Sequence, residues 1–180
     1  MPTPSEEIEI ILGFSTIRPG PIQEILRHGT ELGVSRFVPV ISRRANRRPA
    51  EKKERWKSVV ASASAQSRRS KLPEVEIPLT FDQFIERENK GEARLLLSTE
   101  PGATPILVAL EDCSLQRVVI LAGPEGGMEE SEVKAAINAG FLPVSLVRGI
   151  LRSETAAIVA AATVILWHDW QRFRCMPVTE

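Results

Sequence analysis

Cysteine and histidine are scarce in this sequence. Cys113 and Cys175, His28 and His168 are the full complement in 180 residues. Their spacing makes no zinc-type ligand set, so no metal site is expected. Two unclustered cysteines and no signal-peptide pattern fit a reducing cytoplasm. The longest apolar run, residues 156–167, is interrupted by Thr163 and is too short to cross a bilayer. Neither G-x-G-x-x-G nor G-x-x-x-x-G-K-[ST] occurs, which excludes the Rossmann and P-loop nucleotide sites. There is no internal repeat, low-complexity stretch or linker. A chain of 180 residues with 43% hydrophobic and 26% charged residues reads as one folded domain, 1–180.

Net charge is zero, but its distribution is uneven. Between Arg36 and Lys71 stand twelve basic residues, opposed only by Glu51 and Glu54. That segment carries +10 and the remainder −10. The run Arg43-Arg44-x-x-Arg47-Arg48 contains no acid. Solvated surfaces intersperse signs, so the cluster points to a polyanion, best a nucleic acid. Aromatic interleaving is poor. Trp56 is alone in the basic helix 50–69, so stacking on single-strand bases is not indicated, and Trp56 suits a core position equally well.

Apolar runs alternate with helical patterns along the chain. Strands are expected at Ile8–Phe14, Phe37–Ile41, Ala93–Leu97, Arg117–Ala122 and Phe141–Val147. Helices are expected from Pro21 to Leu32, with Gly33 as the stop, and over 50–69, 81–88 and 105–110. Two more run from Glu129 towards Gly140 and from Ser153 to Phe173. The pattern predicts an α/β fold, a mostly parallel sheet flanked by helices. Ligands in such sheets bind beyond the carboxyl ends of the strands. The segments after the last two strands, Gly123–Gly127 and Arg148–Ser153, are therefore expected to lie side by side and form the site. Gly123, Gly126 and Gly127 permit close backbone approach. Glu129, Glu130 and Glu132 open the next helix, where they suit its dipole but repel phosphate. The expected ligand is flat, hydrogen-bonding and free of phosphate. Taken alone, Gly123-Pro124-Glu125-Gly126-Gly127 is more often just a tight strand–helix turn.

The two loops together are more specific. G-P-E-G-G, then G-F-x-x-V-S-L, then I-L-R-S-E-T-A resembles the RsmE-type small-subunit ribosomal RNA (uridine-N3) methyltransferases of the SPOUT superfamily. Further matches are Glu31-Leu32-Gly33-Val34, Ser42-x-Arg44, and Gln66-x-x-Arg69 followed by Pro73-Glu74. The resemblance covers about residues 8–167. It implies a C-terminal trefoil knot, S-adenosylmethionine held in the knot, ribosomal RNA or the small subunit as partner, and a homodimer. Three positions depart from the family pattern. The family usually carries a barrel RNA-binding domain ahead of this region, and residues 1–180 are not expected to include it, whether by natural reduction or by where this sequence starts. In the second knot loop, L-G-x-R-I-L-R, Val147 replaces glycine and Gly149 replaces arginine. His28 replaces a lysine.

Carried onto this sequence, the resemblance implies a cofactor site of Leu97, Gly123, Pro124, Glu125, Gly126, Leu146, Ile150 and Leu151. RNA contacts are expected from the basic cluster at Arg43, Arg44, Arg47 and Arg48, and at Arg69, which extends it; of these, Arg44 and Arg69 also match the family pattern. Arg152, Glu154, Arg69 and Gln66 are the expected catalytic set, with no metal. Gln66 and Arg69, three apart, are expected on one helix face. Glu154, in a first helical turn, is more simply read as structural. The alternative reading is an RNA- and cofactor-binding module without transfer. The last helix lacks a polar face from Ala156 to Leu166, so it should pack on the sheet, on a second copy, or on both.

Overall fold

The computed structural model describes residues 7–15, 19–45, 53–88, 93–111 and 116–175. β1 (Glu9–Ser15), β2 (Arg36–Ile41), β5 (Ala93–Leu97), β7 (Arg117–Ala122) and β8 (Leu142–Ser145) form the sheet, extended by the two-residue strands β3 (Glu74–Val75), β4 (Leu79–Thr80) and β6 (Thr104–Pro105). The order is β3-β2-β1-β7-β5-β8-β6, with β4 also on β2, and every pairing is parallel. The central strands are apolar on both sides because both faces are covered: Ile10 to Leu12 and Val118 to Leu121 are wholly buried.

Six helices supply that cover: α1 (Pro19–Leu32), α2 (Lys53–Gln66), α3 (Phe81–Arg87), α4 (Ile106–Glu111), α5 (Glu130–Asn138) and α6 (Ser153–Cys175). One core joins Leu12 and Ile120 to Ile25 and Leu26 of α1, Trp56 and Val60 of α2, and Ala157, Ala160, Ala161 and Val164 of α6. The other joins Ile11, Val119 and Leu121 to Phe84 of α3 and Ala136 of α5. Trp56 is thus a core residue. The small residues of α6 let it lie close on the sheet, while Leu166, Trp170 and Phe173 of the same helix face outward. No helix among the described residues is long and apolar enough to cross a membrane.

The basic segment is divided by the fold. Arg36, at the start of β2, pairs with Glu76 and with Glu88, which is 1% exposed. Glu88 also receives Arg87 and Arg117, so the acid sits among three guanidiniums at the amino-terminal edge of the sheet. Burial by itself lowers the Arg87 pKa, but Glu76 and Glu88 outweigh it and hold the group above its usual value. Arg69 also turns inward. α2 ends at Gln66, and Arg68 takes φ 54°, so Gln66 and Arg69 do not share a helix face. Arg69 instead donates to the carbonyls of Thr30, Gly33 and Val34, capping α1 beyond its last turn. Desolvation there lowers its pKa.

Candidate functional site

Three segments meet beyond the carboxyl ends of β7, β5 and β8. They enclose a cavity of about 670 Å³, within the size range of small-molecule sites. β7 and β8 are not neighbours, because β5 lies between them. The loop after β5 therefore contributes a third wall that the motifs did not announce: Ser98, Thr99 and Glu100 join Leu97 on the cavity surface. The signal was present in the strand-end rule, which applies to β5 as much as to β7 and β8.

Of the anticipated cofactor residues, Leu97, Gly123, Pro124, Glu125, Leu146, Ile150 and Leu151 line this cavity, and Arg152 does too. Gly126 is not on the lining, whereas Gly127 is. Gly127 takes φ 71°, and its N–H donates to the Pro124 carbonyl, closing the turn. A Cβ at Gly127 or Gly149 would meet nothing within 4 Å, so both glycines leave the cavity open. Ala156, Met128 and Val133 complete the apolar part. The start of α6 is tied to the first loop, because Ser153 Oγ donates to the Gly123 carbonyl. Val147 and Ile150 line the cavity yet stay exposed, Ile150 at 88%.

The acids after the glycine turn have a local task. Glu132, 4% exposed, accepts from the Glu129 N–H at 3.0 Å and from the Arg43 N–H at 2.9 Å. It thereby caps α5 and anchors the turn that follows β2. Arg43 adds an ion pair with Glu129 at 3.1 Å, and Arg44 Nη1 donates to the Gly126 carbonyl at 2.9 Å. Of the residues expected to meet RNA, Arg44 thus touches the glycine loop and Arg43 the start of α5. Arg47 and Arg48 lie outside the described residues.

The other expected catalytic residues are elsewhere. Gln66 is exposed on a groove between α1 and α2 with Gln23, Arg27, Ser58 and Ser62. Arg69 is committed to the end of α1. Glu154 lies in the first turn of α6 but not on the cavity lining. Its Oε2 is buried and accepts no hydrogen bond among the described residues. No group of three potential metal ligands occurs among the described residues.

Comparison with known proteins gives this arrangement a context. The ribosomal RNA small subunit methyltransferase E of Synechocystis is 39% identical over 160 residues, covering 87% of this chain and 53% of its own length. That of Aquifex aeolicus is 36% identical, covering 74% and 58%. The chain thus spans about half the length of these curated relatives. Among solved structures, the Neisseria gonorrhoeae methyltransferase E bound to S-adenosyl methionine superposes with TM-score 0.82 at 32% identity, over 89% of this chain and 66% of that one. A Legionella pneumophila protein solved with the same bound cofactor gives 0.77 at 28%, with 89% and 66% covered. The SpoU methyltransferase AviRb of Streptomyces viridochromogenes shares the fold, with TM-score 0.58 at 19% identity over 94% of this chain and 63% of that one. Residues 4–165 match the RNA methyltransferase domain family. With the parallel sheet and the cavity at its strand ends, that match over most of the chain decides the assignment: this protein belongs to the RNA methyltransferase domain family.

Proposed function

We propose that this chain is an S-adenosylmethionine-dependent methyltransferase acting on N3 of a uridine in small-subunit ribosomal RNA, in the cytoplasm. The observation that carries the reading is the cavity beyond β7, β5 and β8, lined by the glycine turn and by Leu146 to Ser153. Relatives of matching sequence are named as ribosomal RNA small subunit methyltransferases, and two structures of matching fold hold S-adenosylmethionine. The same reading includes the trefoil knot, with the segment after β8 passing under the loop after β7. The Ser153–Gly123 hydrogen bond would then fasten the crossing.

The cavity suits the cofactor chemically. Leu97, Leu146 and Leu151 give an apolar wall for a flat base, and backbone of the glycine turn gives hydrogen-bonding groups without side-chain bulk. When bound, the cofactor supplies an electrophilic methyl group on a sulfonium. The cavity residues would have to align N3 of the uridine with that methyl and provide for the proton that N3 loses. Alignment of the reacting atoms contributes much of the rate in such a displacement. Arg152 lies on the cavity wall and is exposed, where it can offset the negative charge that develops on the base. Glu100 and Glu125 are the carboxylates on the cavity lining, and Glu154 is not on it. The first two are therefore better placed to take the proton, and Glu154 serves the start of α6.

RNA is held, on this reading, by the turn after β2 and the basic residues that follow it. Binding to a small-subunit ribosomal RNA transcript should weaken steeply as salt rises. Replacing Arg43, Arg44, Arg47 and Arg48 together with Gln should reduce the log–log slope by about 0.9 for each lost phosphate contact on duplex RNA treated like duplex DNA. An unchanged slope would assign these arginines to something other than RNA.

The homodimer belongs to this reading as well. Leu166, Trp170 and Phe173 form an exposed stripe at helical spacing on α6, whose opposite face is already buried on the sheet. Contiguous exposed apolar surface marks a contact site, and a second copy of α6 would cover it. The variant carrying Leu166→Glu and Phe173→Glu should scatter light as a monomer while the wild type scatters as a dimer. A monomeric wild type at working concentration removes the homodimer.

A further inference from the structure

Arg43 and Arg44 are consecutive and both exposed, but they are held differently. The Arg43 guanidinium faces Glu129 at 3.1 Å, so its charge is answered. Among the described residues, Arg44 faces a neutral oxygen, the carbonyl of Gly126, at 2.9 Å. No other acceptor meets its remaining N–H groups among the described residues. A guanidinium has five donors in a fixed fork. Among the described residues, no acid answers Arg44, and most of its donors stay available to an anion while it touches the glycine loop.

Both ends of that contact are defined. The base of Arg44 is fixed because the adjacent Arg43 N–H is bound by the buried Glu132 carboxylate. Ser42, also buried, shares a hydrogen bond with Ser15 of β1. At the other end, the Gly126 carbonyl and the Gly127 N–H belong to one peptide plane. That N–H donates to Pro124, and Gly127 is on the cavity lining. Setting the Gly126 carbonyl thus sets the orientation of a peptide that forms the cavity wall.

We propose that Arg44 couples the two ligands of the site. An RNA phosphate bound on the outer edge of its guanidinium immobilises the inner edge on Gly126 and so pre-orders the glycine turn for the cofactor. Each ligand then binds more tightly when the other is present, since coupling between sites is reciprocal. Arg44 is a positioning residue here, acting on the cofactor through the Gly126–Gly127 peptide. The inference rests on the proposed RNA and cofactor specificity.

The test is calorimetric titration of the purified chain with S-adenosylhomocysteine, which lacks the transferable methyl. It is run with and without saturating unmodified small-subunit ribosomal RNA. RNA should tighten wild-type binding by about fivefold or more, the lower end of usual coupling. In Arg44→Ala and Arg44→Lys the ratio should fall below about twofold. Lysine is the informative variant: it keeps the charge, so RNA still binds, but a single ammonium lacks the fork that spans phosphate and carbonyl. An arginine that merely stiffened the loop would change affinity without RNA and leave the ratio intact. Coupling that survives Arg44→Lys overturns the inference, as does a wild type that binds both ligands independently or antagonistically. A wild type that binds neither S-adenosylhomocysteine nor RNA overturns the proposed function itself, and this coupling with it.

Discussion

Gly127→Val should lower the affinity for S-adenosylmethionine by at least about a hundredfold, and Gly126→Val by less than about fivefold. The two glycines are adjacent in one motif, but the fold uses them differently. Gly127 takes φ 71° and lines the cavity. A β-branched residue there is a true backbone outlier, with strain of about 1–3 kcal/mol, and its side chain adds bulk at the wall. A hundredfold loss corresponds to about 2.7 kcal/mol, which strain and occlusion together supply. Gly126 has no positive φ, and a Cβ there would come no closer than 4.0 Å to the nearest neighbour, Arg44 Cδ. Calorimetry on both variants checks the contrast. Equal, large losses would mean that the whole turn, rather than the Gly127 position, carries the effect. Undiminished affinity in Gly127→Val would remove the cofactor from this cavity.

A second large effect is expected far from the cavity. Glu88→Gln should destabilise the fold by about 3 kcal/mol or more, the usual cost of removing one partner from a buried ion pair. Glu88 is 1% exposed and receives Arg36, Arg87 and Arg117 at 3.0, 2.9 and 2.7 Å. Neutralising it leaves Arg36 and Arg117, both well covered, with one anion fewer. For a chain of this size that amounts to a fall of roughly 6–12 °C in Tm. Denaturant unfolding gives the free energy directly. A change under about 1 kcal/mol would place these pairs with surface salt bridges, which contribute little. Because the cluster lies at the opposite edge of the sheet from the cavity, S-adenosylmethionine affinity of the folded variant should stay unchanged.

The contrast between these edges shows what could be read from residues alone. The apolar runs of β1, β2, β5 and β7 announced a parallel sheet because both faces are buried. The strands β3, β4 and β6 were invisible, since two residues carry no periodicity. The glycine turn and the Ile150–Ala156 segment were legible as one site because they are local motifs. The third wall, Ser98 to Glu100, was not, because it depends on β5 separating β7 from β8. Charge was the least legible quantity. Arg36 and Arg69 contribute to the +10 segment, yet one is paired with buried acid and the other caps α1. A count of charges does not distinguish a guanidinium held by the fold from one offered to solvent. Arg69 shows the same limit in backbone terms: three residues from Gln66 suggested a shared helix face, and the positive φ of Arg68 removed it. The acids Glu129 and Glu132 argued against a phosphate ligand, and the fold gives them a further task, holding the start of α5 and the Arg43 turn.

Methyl transfer to N3 of a uridine leaves a mark that copying the RNA detects. Unmodified small-subunit ribosomal RNA is incubated with the purified chain and S-adenosylmethionine, then copied by reverse transcriptase. A methyl on N3 blocks the Watson–Crick edge, so a new stop is expected at a single uridine. That stop should be absent without S-adenosylmethionine and strongly reduced with Gly127→Val. Mass analysis of the nucleosides should find one added methyl on uridine. RNA that is copied through without a stop, under conditions where the chain binds both S-adenosylmethionine and the RNA, would rule out transfer to uridine N3.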